Sequence, residues 1–353
     1  MIQEIENLAE IIDHLIITPI FSGSSLAARP VVLELYKAAR EKFGKPLCLD
    51  AFERIISGAE KSKTVLMTTG FVVPPWMEAE TDGPVGTATL ARSLNLGLDI
   101  VPVIVTEKSS VHKMKSVMEA VGFRSGDLKQ VNGAPRRCAV VGFTTDNGKA
   151  EEEAEELVSE VNPSSIIAIE KASPNRAGEF HSGVGVNISD VSAKVDKLIE
   201  IAKKSGIPTI GVGDAGNEIG MGCIEETVRE LLPTGSKCGC PCNQGVASAV
   251  ATDSLIVAGT SNWGGSAIEA LLSFHLSAKE LLHDSAMEIR MIKAAAALGY
   301  IDPASGFADP GVDAIPASIH GALIDVLNFI VSSRRADSFY IRKYREYTKK
   351  KRG

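Results

Sequence analysis

A glycine-rich stretch, residues 211–222, constrains the fold of this chain more than any other. Five glycines in twelve positions surround Asp214, Asn217 and Glu218, and an apolar run over 207–212 leads into them. An apolar strand, a glycine loop and a following helix form a site at the carboxyl end of a strand in many α/β proteins. Glycine lets the backbone adopt positive φ and lets a ligand approach closely. Two carboxylates in such a loop suggest a metal site, an acid–base pair, or both.

Strand-like and helix-like segments alternate along most of the chain. Their spacing predicts an α/β fold, with a mostly parallel sheet and helices on both faces in three layers. Because no sharp compositional boundary is visible, we expect a single domain over 1–335 and a basic tail over 336–353. Strands are predicted at 64–68, 99–106, 137–143, 165–170, 207–212 and 253–259, and extra terminal helices at 1–17, 30–43, 287–298 and 321–331.

Composition excludes several classes of protein. Hydrophobic residues make up 44% and charged residues 23% of the 353 residues, which is typical of a soluble globular protein. No apolar run reaches the roughly 18 residues of a membrane helix, so no membrane partner is expected. The acidic start is not a signal peptide, which predicts a cytoplasmic protein whose six cysteines are reduced.

Charge is distributed unevenly. Residues 342–353 carry +6, and because the whole chain carries −7, the remainder carries −13. An acidic body argues against a nucleic-acid groove. The basic tail could bind nucleic acid or an acidic partner, but we favour a solvated terminus.

Four loops follow predicted strands, at 69–86, 170–187, 213–222 and 260–265. In a parallel sheet the carboxyl ends share one edge, so these loops should converge. Clustered carboxylates repel one another unless a cation or shared protons intervene, and oxygen ligands suit Mg²⁺ or Mn²⁺. The alternative is that each carboxylate caps a helix or faces water. The acidic residues in these loops are Glu80, Asp82, Glu170, Glu179, Asp214 and Glu218.

Two glycine patterns bear on anion binding. The segment after Asp82 enters a helix start, where free backbone N–H groups favour a carboxylate or phosphate. It is not a Walker loop, because no Gly-Lys-Ser/Thr ends it. The glycines at 211, 213 and 216 match a dinucleotide pattern, but Asp214 would repel a pyrophosphate. We therefore expect no nucleotide cofactor.

Three further features have two interpretations each. Arg176 suits a substrate carboxylate, but a surface role fits equally well. His181 is either an acid–base group or a spectator. Cys238, Cys240 and Cys242 alternate within one loop, whereas zinc sites usually take ligands from two segments. We favour a local loop of reduced thiols, although Cys223 could add a fourth ligand.

Several blocks of this sequence occur together in a known family. In order along the chain they are Thr-Gly-Phe at 69–71, Glu-Thr-Asp-Gly-Pro at 80–84, 169–170 with 175–178, 213–222, and Ser-Asn-Trp-Gly-Gly at 261–265. Together they resemble the D-glutamate cyclase-like C-terminal domain family, over about residues 5–330. The 213–222 block is the most specific, although Ala215 replaces a glycine common in the family. The resemblance implies a hydro-lyase that converts D-glutamate to 5-oxo-D-proline and water.

Cyclisation requires a neutral amine that attacks the γ-carboxyl carbon, a base for the ammonium proton, and an acid or metal to help oxygen leave. Because their loops should converge, we expect Asp214, Glu218 and Glu170 to be catalytic and, with Asp82, to bind Mg²⁺ or Mn²⁺. The expected substrate is a small dicarboxylate. A homo-oligomer is possible, but no sequence feature decides the oligomeric state. The expected substrate-binding residues are Thr69, Gly70, Gly83, Arg176, Asn217 and Asn262.

Two other functions use the same residues. A metal-dependent hydrolase, such as a phosphoesterase, would activate water on a phosphate held at the helix start. A sensor of an acidic metabolite would bind without turnover.

Overall fold

The computed structural model describes residues 2–19, 31–131 and 136–333. The basic tail predicted for 336–353 lies outside these ranges, and the domain limit at residue 335 stays a prediction. Within the described ranges the strands are β1 (Thr64–Gly70), β2 (Val72–Val73), β3 (Glu78–Ala79), β4 (Val101–Glu107), β5 (Arg124–Gly126), β6 (Arg137–Phe143), β7 (Ile166–Lys171), β8 (Thr209–Gly213), β9 (Ser254–Val257), β10 (Gly311–Val312) and β11 (Ile315–Pro316).

The centre of the fold is a seven-stranded sheet in the order β5-β6-β4-β1-β7-β8-β9, in which all neighbouring strands are parallel. β2–β3 and β10–β11 form two antiparallel hairpins outside it. The helices are α1 (Ile2–Ile16), α2 (Val31–Phe43), α3 (Leu47–Ala59), α4 (Pro84–Leu98), α5 (Val111–Ala120), α6 (Asn147–Val161), α7 (Asp196–Lys204), α8 (Glu225–Leu231), α9 (Ser261–Leu276), α10 (Ser285–Ala297) and α11 (Ala317–Ser333).

Helices cover both faces of the sheet. Alternate residues of each strand point to opposite sides, so each face carries apolar side chains that helices bury. Val65 and Met67 of β1 pack into the larger apolar layer, to which α1–α5 and α8–α11 contribute. Leu66 packs into the smaller layer against α6 and α7. The α/β, three-layer prediction is confirmed. In the described ranges no helix is long and apolar enough to cross a membrane.

Strand order places a crevice at the ends of β1 and β7. From β1 the chain proceeds to β4 on one side, and from β7 it proceeds to β8 on the other. Ligands of open α/β sheets bind at such a switch point. β7 has a bulge at this point. Thr69 pairs with Ile169 and Gly70 pairs with Lys171, so Glu170 is an extra residue without a partner in β1. Glu170 has φ 45°, a conformation uncommon for a non-glycine residue.

Several elements differ from the sequence prediction. No element was predicted for α3, for the three-residue strand β5 or for either hairpin. The strands of the two hairpins are two residues long, which is too short to show a periodicity. Helix α9 begins at Ser261, so the Asn-Trp-Gly-Gly run at 262–265 lies in its first turns rather than before it. The two glycines there allow close packing, since a Cβ at Gly265 would lie 3.0 Å from the carbonyl oxygen of Gly86 in α4.

Candidate functional site

A pocket of about 410 Å³ opens at the crevice. Its volume falls in the range of small-molecule sites. Four carboxylic side chains line it, whereas no lysine, arginine or histidine does so in the described part of the chain. The lining residues are Phe71, Val73, Pro74, Trp76, Glu80, Glu170, Ser182, Gly183, Val184, Asp214, Ala215, Asn217, Pro303, Ala304 and Asp313.

Most of the predicted carboxylates converge, and Asp214 belongs to both groups that they form. Glu179 does not join them, because its carboxylate accepts hydrogen bonds from Asn187 Nδ2 at 2.9 Å and Ser189 Oγ at 2.6 Å within its own loop. Carboxylate oxygens of Asp82, Asp214 and Asp313 lie within 4.8 Å of one another. Oxygens of Glu170, Asp214 and Glu218 form a second group of the same size. Both groups satisfy the distance requirement for oxygen ligands of one divalent cation.

Asp82 and Asn262 cap each other's helices. Asp82 Oδ2 accepts the Ser261 N–H at 2.7 Å, and its Oδ1 accepts the Asn262 N–H at 2.8 Å, at the start of α9. Asn262 Oδ1 accepts the N–H groups of Gly83 at 2.9 Å and Gly86 at 2.7 Å, at the start of α4. The helix start expected to receive a substrate anion is therefore occupied by the Asn262 side chain.

The glycine-rich loop at 211–222 folds around Glu218. Its two carboxylate oxygens accept the N–H groups of Ala215 at 3.0 Å and Gly216 at 2.8 Å. Gly216 has φ +104°, and a Cβ at Gly213 would lie 2.8 Å from Glu218 Oε2. Glycine is thus required at both positions for the fully buried Glu218 to fit inside its own loop.

Asp313 completes the site but was not predicted from the sequence. It lies at the tip of the β10–β11 hairpin, where Asp313 (φ 51°) and Ala314 (φ 64°) both have positive φ, as a two-residue type I′ turn requires. Asp302 holds the turn by accepting the Ala314 N–H at 3.0 Å. The turn has Asp-Ala in place of the Asn-Gly or Asp-Gly signal of such hairpins, so no local pattern predicted it.

Crowding makes the ionised forms of these carboxyls unfavourable. Burial raises the pKa of Asp82 to about 6, although the N–H groups of Asn262 and Ser261 oppose the rise. Burial, followed by repulsion from neighbouring carboxylates, raises the pKa of Glu80, Glu170, Asp214 and Asp313 well above their ordinary values. Burial also raises the pKa of Glu218. A bound cation or shared protons would relieve this repulsion.

Comparison with known proteins identifies the family of this chain. Residues 36–328 match the model of a family described as "D-glutamate cyclase-like, C-terminal". The chain belongs to the D-glutamate cyclase-like family. It is 31% identical over 240 residues to the human protein "D-glutamate cyclase, mitochondrial", a match that covers 65% of this chain. The chain spans about a third (36%) of the length of that relative.

The family match includes the whole acidic cluster, but not every expected site residue joins it. Arg176 lies on the surface, where it pairs with Glu225 at 2.6 Å and with Glu226, and it is absent from the pocket lining. Asn262 is 1% exposed and acts as a helix cap. Asn217 does line the pocket, while its amide donates to the His181 carbonyl oxygen at 2.9 Å.

The remaining expected residues lie behind the pocket. The Gly70 carbonyl oxygen accepts the Lys171 ammonium at 2.9 Å, and Lys171 also pairs with buried Glu107. The Thr69 hydroxyl is buried without a hydrogen-bond partner. A Cβ at Gly83 would lie 2.6 Å from that hydroxyl oxygen, so Gly83 is required for this approach.

Proposed function

We propose that this protein is a hydro-lyase that converts D-glutamate to 5-oxo-D-proline and water, with Mg²⁺ or Mn²⁺ in the acidic cluster. The observation that carries the proposal is a pocket lined by four carboxylic side chains and, among the described residues, by no cationic one. D-Glutamate carries two carboxylates and one ammonium group. Its ammonium group suits this lining, whereas its carboxylates need a cation between them and the protein.

The carboxylates themselves support metal binding. Asp313 has a buried oxygen, Oδ2, with no hydrogen-bond partner, and it lies beside Asp82 and Asp214. Bound there, a divalent ion would neutralise the cluster and polarise a substrate carboxyl oxygen. Asp82, Asp313 and one oxygen of Asp214 would hold the ion. Glu170 would stay outside the ligand set, because a ligand must be deprotonated and Glu170 is to serve as the acid. A nucleotide cofactor is not part of the proposal.

The raised pKa values suggest how protons move. Asp214, half-buried in the pocket wall, would accept a proton from the substrate ammonium group. The free amine then forms a bond to the γ-carboxyl carbon, and the C–O bond of that carbon breaks. Burial raises the pKa of Glu170, which suits it to act as the acid. For the oxygen to leave as water it needs two protons: Glu170 would donate one, and Asp214 would return the one it accepted. The nitrogen loses a second proton as the amide forms, and that proton would restore Glu170. Glu218 would orient Asp214.

The direct test is an assay of purified protein with D-glutamate and Mn²⁺ or Mg²⁺, with 5-oxoproline as the measured product. Asp214→Asn and Glu170→Gln should each lower kcat about 10²–10⁴-fold, the usual effect of removing an acid–base group. Glu226→Gln, at an exposed ion pair outside the pocket, is the matched control and should leave kcat unchanged. A product rate equal to the spontaneous rate would eliminate the proposal.

The metal-dependent phosphoesterase is the second candidate, and the geometry favours it less. Its anion site was the helix start after Asp82, which Asn262 now fills. Turnover of phosphate esters but not D-glutamate would reverse this ranking. Tight D-glutamate binding without turnover, measured by calorimetry, would instead identify a sensor.

Location and assembly remain proposals too. We propose a cytoplasmic location, although the human relative is named as mitochondrial. Assembly into a homo-oligomer is a second, separate proposal. Cell fractionation and light scattering measure the two properties directly.

A further inference from the structure

A second cluster of ligand-type side chains lies outside the acidic site. The structure brings together His181 and three cysteines, Cys238, Cys240 and Cys242, with one ligand atom of each within 4.8 Å of all the others. The sequence pattern alone favoured a loop of reduced thiols, because three alternating cysteines in one segment chelate poorly. His181 comes from a different loop, so the cluster meets the two-segment requirement of zinc sites.

The distances fit a tetrahedron around one ion. The three S···S distances are 3.1, 3.3 and 3.5 Å, and His181 Nε2 lies 3.1 Å from Cys240 Sγ and 3.8 Å from Cys242 Sγ. A tetrahedral Zn²⁺ with ordinary bond lengths needs S···S edges of about 3.8 Å and N···S edges of about 3.6 Å. A disulfide would need about 2.05 Å. The closest sulfur pair, at 3.1 Å, must therefore open by about 0.7 Å for zinc, whereas a disulfide needs it to close by about 1 Å.

The surroundings of the cluster prepare it for a metal. His181 Nδ1 lies 3.2 Å from the Glu179 carbonyl oxygen, which favours the tautomer that leaves Nε2 unprotonated toward the sulfurs. Asn175 Nδ2 donates to Cys242 Sγ at 3.5 Å.

We propose that His181, Cys238, Cys240 and Cys242 bind one Zn²⁺ in a closed, four-ligand structural site. Four protein ligands leave no position for a substrate, which distinguishes a structural from a catalytic zinc. Cys223, the alternative fourth ligand considered from the sequence, instead donates to the Thr252 carbonyl oxygen at 3.2 Å.

The site would hold one wall of the acidic pocket. Ser182, Gly183 and Val184 follow His181 directly and line that pocket. Asn217, another lining residue, donates to the His181 carbonyl oxygen at 2.9 Å. Zinc bound here would fix this wall while taking no part in proton transfer at Asp214.

The experiment measures the metal content of the full-length protein, purified under reducing conditions without chelator, by mass spectrometry. We expect about one zinc per chain, lost in Cys240→Ser and His181→Ala and retained in the matched control Cys223→Ser. Co²⁺ exchanged into the wild type should give the charge-transfer absorption of a thiolate-ligated tetrahedral site, which does not depend on whether any variant folds. Removal of zinc with a strong chelator should lower the unfolding temperature of the wild type.

Three results would overturn the proposal. One is wild-type protein that binds no zinc even after incubation with ZnCl₂. Another is zinc retained at full occupancy by both Cys240→Ser and His181→Ala. The third is a mass and a thiol titration that show a disulfide among the three cysteines.

Discussion

Asn262→Ala separates a helix-capping role from a substrate-binding role. The substitution removes the acceptor from two buried N–H groups, those of Gly83 and Gly86. Gly83 keeps a second acceptor, Asp82 Oδ1 at 3.0 Å, whereas no other acceptor is evident for Gly86. One buried N–H group without a partner costs about 1–3 kcal/mol, and loss of an N-cap costs typically about 1 kcal/mol. Because both estimates describe the same N–H groups, they are not added, and we expect a loss of about 1–3 kcal/mol.

That loss is measurable as a shift in thermal unfolding. Unfolding entropy is about 2.1 cal/mol/K per residue, or about 0.7 kcal/mol/K for a chain of this length, so Tm should fall by about 1–4 °C. Ser266→Ala is the control, because its hydroxyl bonds only the Asn262 carbonyl oxygen inside the same helix. It should shift Tm by less than 1 °C, since a single helical Ser→Ala costs or gains only about 0.5 kcal/mol.

Calorimetry gives the Tm of both variants, and steady-state kinetics give their KM. Together the two measurements distinguish capping from substrate binding. If Asn262 contacts substrate rather than capping α4, Asn262→Ala will raise KM sharply and leave Tm unchanged. That outcome would refute the capping argument and restore the helix start as an anion site.

Three further predictions concern charge. Asp313→Asn should keep the hairpin, since Asn tolerates positive φ, but should abolish the increase in Tm produced by Mn²⁺; an unchanged increase would exclude Asp313 as a ligand. Lys171→Met should cost about 3–5 kcal/mol in urea unfolding, because it leaves buried Glu107 without its cation; a loss below about 1 kcal/mol would contradict this. Burial lowers the pKa of His283, but Glu269 and Glu288 outweigh it and raise that pKa to about 10. The resulting stabilisation, on the order of 5 kcal/mol, is complete below pH 6.5 and lost as pH rises toward 10, and His283→Gln should remove this pH dependence.

The sequence predicted the sheet and most of the cluster because both follow from local patterns. Apolar runs marked β6 and β7 to within a residue, and parallel pairing then placed Asp82, Glu170 and Asp214 at one edge. Glycine spacing correctly identified the loop that surrounds Glu218.

What the sequence could not predict depends on contacts between distant residues. Asp313 joins the cluster through a hairpin turn without its usual glycine. His181 and Cys240 are 59 positions apart, so the spacing of the cysteines alone did not reveal a fourth ligand from a second segment. Arg176 looked suitable for a carboxylate, but two glutamates at the start of α8 hold it at the surface.

The distance along the chain between the two sides of the acidic pocket has a consequence during synthesis. The Thr81 hydroxyl donates to the Gly311 carbonyl oxygen at 2.7 Å across 230 positions, and this bond ties the segment before Asp82 to the hairpin that carries Asp313. At about 5–20 residues per second, a ribosome needs roughly 10–50 s to add that much chain. The sheet and α9 can form in that interval, while the pocket still lacks one side. A nascent chain therefore lacks a complete acidic site until the hairpin and α11, which follows it and packs in the larger apolar layer, have been made.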